Sequence, residues 1–178
     1  MVTNVHERLI PAPISRVGVL IDHLGSPDDQ FWPTDRWPAI RFDRPLAVGA
    51  VGGHGPIRYF VEGYEPGRSI TFRFTAPRGF HGTHGLKVQA VDGSNVSLRH
   101  ELRMRTTGLA RLSWPLVFRR LHDALVEDAL DCAEASFETR PAVKREWSRY
   151  TRILRALVEW QMNRRRSFGP VPASLARR

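Results

Sequence analysis

The stretch YEPGR, residues 64–68, decides how this sequence divides into elements. Its Pro-Gly pair suits the two central positions of a type II turn, because only glycine adopts the positive φ of the second position at little cost. Ile57–Tyr64 before it is a strand-like run, and Ser69–Thr75 after it alternates strictly between apolar and polar residues. We therefore predict two antiparallel strands that are joined at residues 64–68.

A second hairpin is predicted a little further along the chain. Two apolar runs, 80–91 and 96–104, flank DGSN at residues 92–95, which is a strong turn signal. The apolar residues of both runs face one side only if the numbers of paired residues have an even sum. A three-residue loop at 92–94 meets this condition and pairs Leu86 with His100. We therefore predict that His84 and His100 are diagonal neighbours on one face of the sheet.

Helical periodicity appears on both sides of this block of strands. The extended run Val5–Ile10 leads into apolar residues at helical spacing between Val17 and Leu24. After the strands, Leu112–Phe137 reads as one long helix with Pro115 in its first turn, and Pro141 follows it. This order of elements indicates an α+β fold.

The order resembles the helix-grip fold of the START and birch-pollen-allergen superfamily, also called SRPBCC or polyketide cyclase/dehydrase-like. Three stretches carry the resemblance: IPAP at 10–13 with the helix after it, YEPGR at 64–68, and the long helix at 112–137. It covers residues 4–138. The resemblance implies a curved antiparallel sheet wrapped around the long helix. It also implies a cavity for a small, mostly apolar ligand such as a lipid or an aromatic or polyketide-like molecule. Superfamily members include carriers, receptors and cyclases, so the fold does not transfer one chemistry.

Strand parity selects the candidate site residues. His84 and His100 share the parity of the apolar residues on their strands, so we expect both imidazoles on the concave face. They would act as polar contacts for a ligand, as the acid/base pair of a cyclase/dehydratase-type enzyme, or as structural residues that satisfy each other. The surrounding aromatic residues would line the cavity or simply fill the core. The candidate ligand-binding residues are Tyr59, Phe72, Phe74, Phe80, His84, His100, Trp114, Phe118 and His122.

We predict neither a metal ion nor a cofactor for this site. Two imidazoles without an inward Asp, Glu or Cys nearby make a poor site for a divalent ion. The glycine-rich stretch 52–56 lacks the spacing and the following helix of a phosphate-binding loop, and we interpret it as a loop at the mouth of the cavity. The single cysteine, Cys132, excludes an internal disulfide framework and a cysteine-rich zinc site.

Charge divides the chain in two. The net charge of the 178 residues is +9, but residues 1–140 contain 17 basic and 16 acidic residues, whereas residues 141–178 contain 10 and 2. We therefore predict a helix-grip ligand-binding domain at 1–140. Residues 141–178 would form a basic extension, with an amphipathic helix at 142–162 and a flexible tail.

Three functions are open for the extension, which would make the protein a regulatory or interaction protein. It packs on the body or on a second copy of the chain in a homodimer, it lies on an anionic membrane surface, or it contacts nucleic acid. The alternative is a solvated tail without a function of its own. The near-neutral body gives no support to nucleic acid binding. Because residues 1–8 are polar and no run approaches about 20 apolar residues, we expect a cytoplasmic protein.

Overall fold

In the computed structural model, which describes residues 1–137 and 145–167, seven strands form one antiparallel sheet in the order β1-β7-β6-β5-β4-β3-β2. The strands are β1 (Val2–Ile10), β2 (Arg41–Phe42), β3 (Val51–His54), β4 (Ile57–Glu65), β5 (Ser69–Ala76), β6 (Phe80–Ala90) and β7 (Val96–Thr106). The helices are α1 (Ile14–Asp22), α2 (Ala110–Ser113), α3 (Arg119–Ala135) and α4 (Arg149–Ser167). The predicted combination of an antiparallel sheet and one long helix is confirmed.

The long helix contains an irregularity that the sequence did not predict. A π-helical turn, Trp114–Phe118, joins α2 to α3, and the three segments form one continuous helix of 26 residues, called the long helix below. It begins at Ala110 rather than at Leu112. Within it, the N–H of Arg119 donates to the carbonyl of Trp114, five residues back. Pro115 has no N–H to donate, and such positions commonly interrupt regular helical hydrogen bonding.

The YEPGR turn is fixed against the end of α1. Gly67 has φ of 68°, as a type II turn requires at that position. The Tyr64 hydroxyl and the Gly67 N–H both donate to Oδ1 of Asp22, each at 2.8 Å. A Cβ atom on Gly18 would lie 2.3 Å from the Gly67 carbonyl oxygen. The turn and α1 therefore approach each other closely, and only glycine at position 18 allows it.

The register of the second hairpin is the predicted one. Leu86 lies opposite His100, and the Val91 N–H donates to the Asn95 carbonyl at 3.0 Å, so the loop comprises residues 92–94. On its other side β7 pairs with β1, which places His6 opposite His100. Three strands thus bring histidines to neighbouring positions.

The core lies between the sheet and the helices α1 and α3. Its fully buried members include Val17 and Ile21 on α1, Tyr59 and Val61 on β4, and Leu130 on α3. A second apolar cluster lies at the beginning of the long helix and comprises Phe80, Leu102, Met104, Ala110 and Trp114, with Val2, Phe74 and Phe118 packed against it.

The chain falls into two compact units, Met1–Glu146 and Trp147–Arg178. In the second unit, the predicted start of the amphipathic helix is wrong. The helix α4 begins at Arg149, because the Ser148 hydroxyl caps it by accepting from the N–H of Thr151 at 3.1 Å. The predicted first turn at 142–144 and the tail at 168–178 lie outside the described residues. No helix within residues 1–137 and 145–167 is long and apolar enough to cross a bilayer.

Candidate functional site

His84 and His100 meet on one face of the sheet. They project from adjacent strands, β6 and β7, and their ring centroids are 5.7 Å apart. This convergence was predicted from the hairpin register and is confirmed. On the opposite side the long helix contributes His122, whose ring centroid lies 5.0 Å from that of His100. The sheet and the helix therefore place three imidazoles in a row.

Aromatic side chains surround this row. The ring of His84 lies 5.0 Å from Tyr59, 5.1 Å from Phe72 and 4.7 Å from Phe74, measured between centroids. The three aromatic residues come from neighbouring strands, β4 and β5, so the imidazole is enclosed by π faces and edges.

The remaining predicted aromatic residues form a second group next to this one. Phe80 lies 5.8 Å from Trp114 and 5.1 Å from Phe118, each in an edge-to-face arrangement. Trp114 in turn lies 5.8 Å from His122, and Phe80 lies 5.8 Å from Phe74. All nine candidate residues thus belong to one connected set of rings, and the π-helical turn carries two of them.

The interpretation of residues 52–56 as a loop is wrong in part. Val51–His54 is strand β3, and the ring of His54 lies 6.1 Å from Tyr59 and 4.8 Å from Trp32. Glycines in this stretch concealed the strand, since their lack of side chains removes the alternation that marks strands. His54 is therefore a member of the histidine group that sequence reasoning missed.

Sequence reasoning also missed His6, which lies close to two acidic residues of the long helix. His6 of β1 stands beside the row, with Nδ1 2.7 Å from Oε1 of Glu127 and Nε2 3.3 Å from Oδ1 of Asp123. His122 lies next to Asp123 in sequence, and a ligand atom from each of His6, His122 and Asp123 lies within 4.8 Å of the others. The sequence did not predict that β1 pairs with β7, and this pairing places His6 opposite His100.

Several polar atoms of this region have no hydrogen-bond partner among the residues that the structure describes. They are the Tyr59 hydroxyl, Nε2 of His84, Nδ1 of His100 and both ring nitrogens of His122. Nδ1 of His122 is 3.6 Å from Oδ1 of Asp123, which is longer than a hydrogen bond. These four side chains are called the polar row below. Leaving such atoms unpaired is costly, so most buried polar groups in proteins are bonded.

Burial also controls the charge of the histidines. It lowers the pKa of His54 to about 3, and it holds the pKa of His84 and of His100 well below the usual value for imidazole. The neighbouring imidazole of His122 adds to the effect. At neutral pH these side chains are therefore neutral, and each can donate one hydrogen bond and accept another.

His6 behaves in the opposite way. The hydrogen bond to Asp123 raises the pKa of His6, and Glu127 contributes in the same direction, although burial opposes both. Burial raises the pKa of Asp123, but the hydrogen bonds from His6 and Asn4 and the nearby imidazole of His122 hold it well below its usual value. The ionised Asp123 thus favours the protonated form of His6, whereas His84 and His100 are neutral.

Comparison with known proteins supports the fold. Neither a protein-family model nor a curated protein sequence matches this chain. Solved structures that resemble it include CalU16 from Micromonospora echinospora, at 16% identity and a TM-score of 0.56, with 91% of this chain and 86% of that chain covered. A protein from Nitrosospira multiformis has 12% identity and a TM-score of 0.59, with 78% and 97% covered. Ara h 8.0201 has 14% identity and a TM-score of 0.56, with 76% and 97% covered.

Identities this low establish the architecture and leave the chemistry open. The sheet order, the long helix and these neighbours agree with the resemblance that the YEPGR turn first indicated. The chain has a helix-grip fold.

Proposed function

We propose that this protein binds a small molecule with an apolar or aromatic body between the sheet and the long helix. Tyr59, His84 and His100 would be its polar contacts. The observation that carries the proposal is the polar row, in which buried donors and acceptors lack partners among the described residues. Each unpaired buried group costs about 1–3 kcal/mol, and a ligand that pairs with it would remove that cost.

The surroundings of the row indicate the chemistry of the ligand. Tyr59, Phe72 and Phe74 offer ring faces and edges within about 5 Å of the His84 ring, an environment suited to aromatic or planar apolar groups. Neutral imidazoles and a phenol can pair with hydroxyl or carbonyl groups, and a charged ligand would find no counter-ion among them. We therefore expect a ligand that combines rings or an acyl chain with hydroxyl or keto groups.

Binding explains the histidines better than acid/base catalysis does. A general base works best when its pKa lies near the operating pH. Burial holds the pKa of His84 and of His100 well below that range, so at neutral pH each is a weak base. The cyclase/dehydratase alternative would need a bound substrate to raise the pKa of one of them.

The test combines ligand detection with two variants. Native mass spectrometry of the purified protein should detect a co-purified small molecule. Titration with the uncharged fluorescent probe Nile red, followed by displacement with polyphenols and long-chain alcohols, should measure affinity. In Tyr59→Phe and His84→Leu the unpaired group disappears, so we expect the free energy of unfolding to rise by about 1–2 kcal/mol. We also expect the affinity for a displacing polyphenol to fall about tenfold, the equivalent of one hydrogen bond.

A matched control is His81→Gln. His81 lies on the same strand as His84, but it is exposed and bonded to Oγ1 of Thr107 at 3.0 Å. We expect affinity in this variant to match the wild type. If Tyr59→Phe and His84→Leu gain stability but bind as the wild type does, the polar row is not the binding site and the proposal fails.

A second candidate function is membrane binding through the exposed side of α4. Tyr150, Ile153, Leu157 and Trp160 are exposed, with about half or more of each side chain accessible, and their spacing places them along one side of the helix. They are called the α4 stripe below. Arg149, Arg152 and Arg164 are also exposed, and the Arg164 guanidinium lies 4.7 Å from the ring centroid of Trp160. Large apolar side chains beside arginines suit an anionic membrane surface.

A further inference from the structure

His6, Asp123 and His122 have the spacing of metal ligands. In a tetrahedral zinc site with bonds of about 2.0–2.1 Å, neighbouring ligand atoms are roughly 3.3 Å apart. Nε2 of His6 lies 3.3 Å from Oδ1 of Asp123, and Nδ1 of His122 lies 3.6 Å from the same oxygen. Both distances match the edge of a coordination tetrahedron. The ligand atoms lie within 4.8 Å of one another.

The hydrogen bonds that these three residues make to other side chains also match those of a metal site. Metal-bound histidines usually donate their other ring N–H to a carboxylate, which fixes the tautomer and the ring orientation. Nδ1 of His6 lies 2.7 Å from Oε1 of Glu127, the arrangement that would leave Nε2 free to coordinate. Asn4 donates to Oδ1 of Asp123 at 2.8 Å, and Arg8 lies 3.2 Å from Oε2 of Glu127. The three potential ligands are therefore held from two elements, β1 and the long helix.

A protonated His6 between two carboxylates explains only part of this arrangement. It accounts for the contacts of His6 with Asp123 and Glu127. It gives His122 no role, although this ring lies beside Asp123 and both its nitrogens lack a hydrogen bond within the described part of the chain. A cation bound by all three residues would satisfy His122 as well.

We propose that His6, His122 and Asp123 bind a divalent transition-metal ion of the zinc type, with a further coordination position open. Two imidazoles and one carboxylate suit zinc, cobalt, nickel or iron, whereas magnesium and calcium prefer oxygen ligands only. Three protein ligands and an open position are the composition of sites that bind a water molecule or a substrate atom. The ring of His100, 5.0 Å from that of His122, places this site next to the proposed binding region.

The experiment uses the full chain without an affinity tag, after removal of metal with a chelator. We expect calorimetry with Zn²⁺ to give one site per chain, and Co²⁺ to produce the visible absorption of a tetrahedral complex. Mg²⁺ should compete with neither. His6→Gln and His122→Gln should each weaken Zn²⁺ binding by more than the 10–100-fold typical of losing an outer contact, and Glu127→Gln by roughly that amount.

Two variants serve as controls. His23→Gln removes an exposed imidazole from the end of α1 and should leave Zn²⁺ binding unchanged. His84→Leu should also leave it unchanged, although it is expected to weaken ligand binding, so the two proposals can fail separately. Thermal unfolding with and without Zn²⁺ shows that each variant is folded and gives a second readout. The proposal is overturned if the wild type does not bind Zn²⁺. It is also overturned if His6→Gln and His122→Gln bind Zn²⁺ as tightly as the wild type does.

Discussion

Polar side chains that are buried without hydrogen-bond partners lower the stability of this fold. The Tyr59 hydroxyl is fully buried, and burial raises the pKa of this phenol far above its usual value. His100 is also buried, and His84 is half-buried with its Nε2 fully covered, so both imidazoles remain neutral. A core built for stability alone would contain leucine or phenylalanine at these positions. The ligand that we propose would pair with them and offset this cost.

His84 makes stability depend on pH in a definite direction. Its pKa is well below 6.5 in the folded protein and near 6.5 in the unfolded chain. Below pH 6.5 the unfolded state therefore binds a proton that the folded state does not, and stability falls as the pH falls. The loss approaches about 1.4 kcal/mol per pH unit, which amounts to about 1 kcal/mol between pH 7 and pH 5.5.

The variant His84→Leu isolates this contribution. Urea unfolding at pH 7 and at pH 5.5 should show a loss of stability in the wild type that is about 1 kcal/mol larger than in the variant. The comparison is needed because His54 and His100 act in the same direction, whereas His6, whose pKa is raised, acts in the opposite one. The control Gln89→Leu, which changes an exposed and non-titrating side chain of the same strand, should keep the wild-type difference. An equal loss in His84→Leu and the wild type would show that His84 is not a buried neutral imidazole.

At the scale of elements, Asp22 connects the YEPGR turn to α1. Its Oδ1 accepts from the Tyr64 hydroxyl and from the Gly67 N–H. Asp22→Ala should lower the free energy of unfolding by about 2 kcal/mol, since it removes two hydrogen bonds to a charged acceptor at a half-buried position. Asp22→Asn, which retains an acceptor oxygen, should lose less than half as much. Urea unfolding measures both, and equal losses would mean that the carboxylate charge, not the two hydrogen bonds, holds the turn.

The elements differ in how far the sequence determined them. Alternation and turn residues predicted the strands β5 to β7 and the register of the β6–β7 hairpin, because side-chain parity leaves few ways to pair two half-buried strands. β3 was missed, since Gly52 and Gly53 carry no side chains to alternate. The π-helical turn depends on how Pro115 is accommodated within a long helix, which no local pattern specifies.

The candidate site also contains features that the local sequence predicted and features that it did not. The convergence of His84 and His100 followed from one hairpin, so local reasoning was sufficient. The contributions of His6 and Asp123 depend on the pairing of β1 with β7, whose residues are about 95 positions apart in sequence. Contacts of this kind come from the closure of the whole sheet, and single-strand patterns do not report them. This is why the sequence predicted the convergence of His84 and His100 but not the approach of His6 to Asp123.

At the scale of the whole molecule, charge and apolar surface are distributed unequally. Residues 141–178 carry nearly all of the net positive charge, and the α4 stripe exposes four large apolar side chains in the same segment. Arginines close to the stripe would repel a second copy of the same surface, whereas they would attract an anionic one. We therefore expect α4 to bind membranes that contain anionic lipid, in the manner of an interfacial helix.

Vesicle co-sedimentation tests this expectation. The wild type should bind vesicles that contain phosphatidylserine, it should bind pure phosphatidylcholine much less, and salt should weaken the binding. Leu157→Ser with Trp160→Ser removes half of the α4 stripe and should abolish binding. Arg149→Gln with Arg152→Gln should reduce partitioning roughly 30-fold, since each basic residue near such a surface contributes about 1 kcal/mol. If instead the wild type is a dimer by light scattering, ignores vesicles and becomes a monomer in Leu157→Ser with Trp160→Ser, the stripe is an interface between copies of the chain.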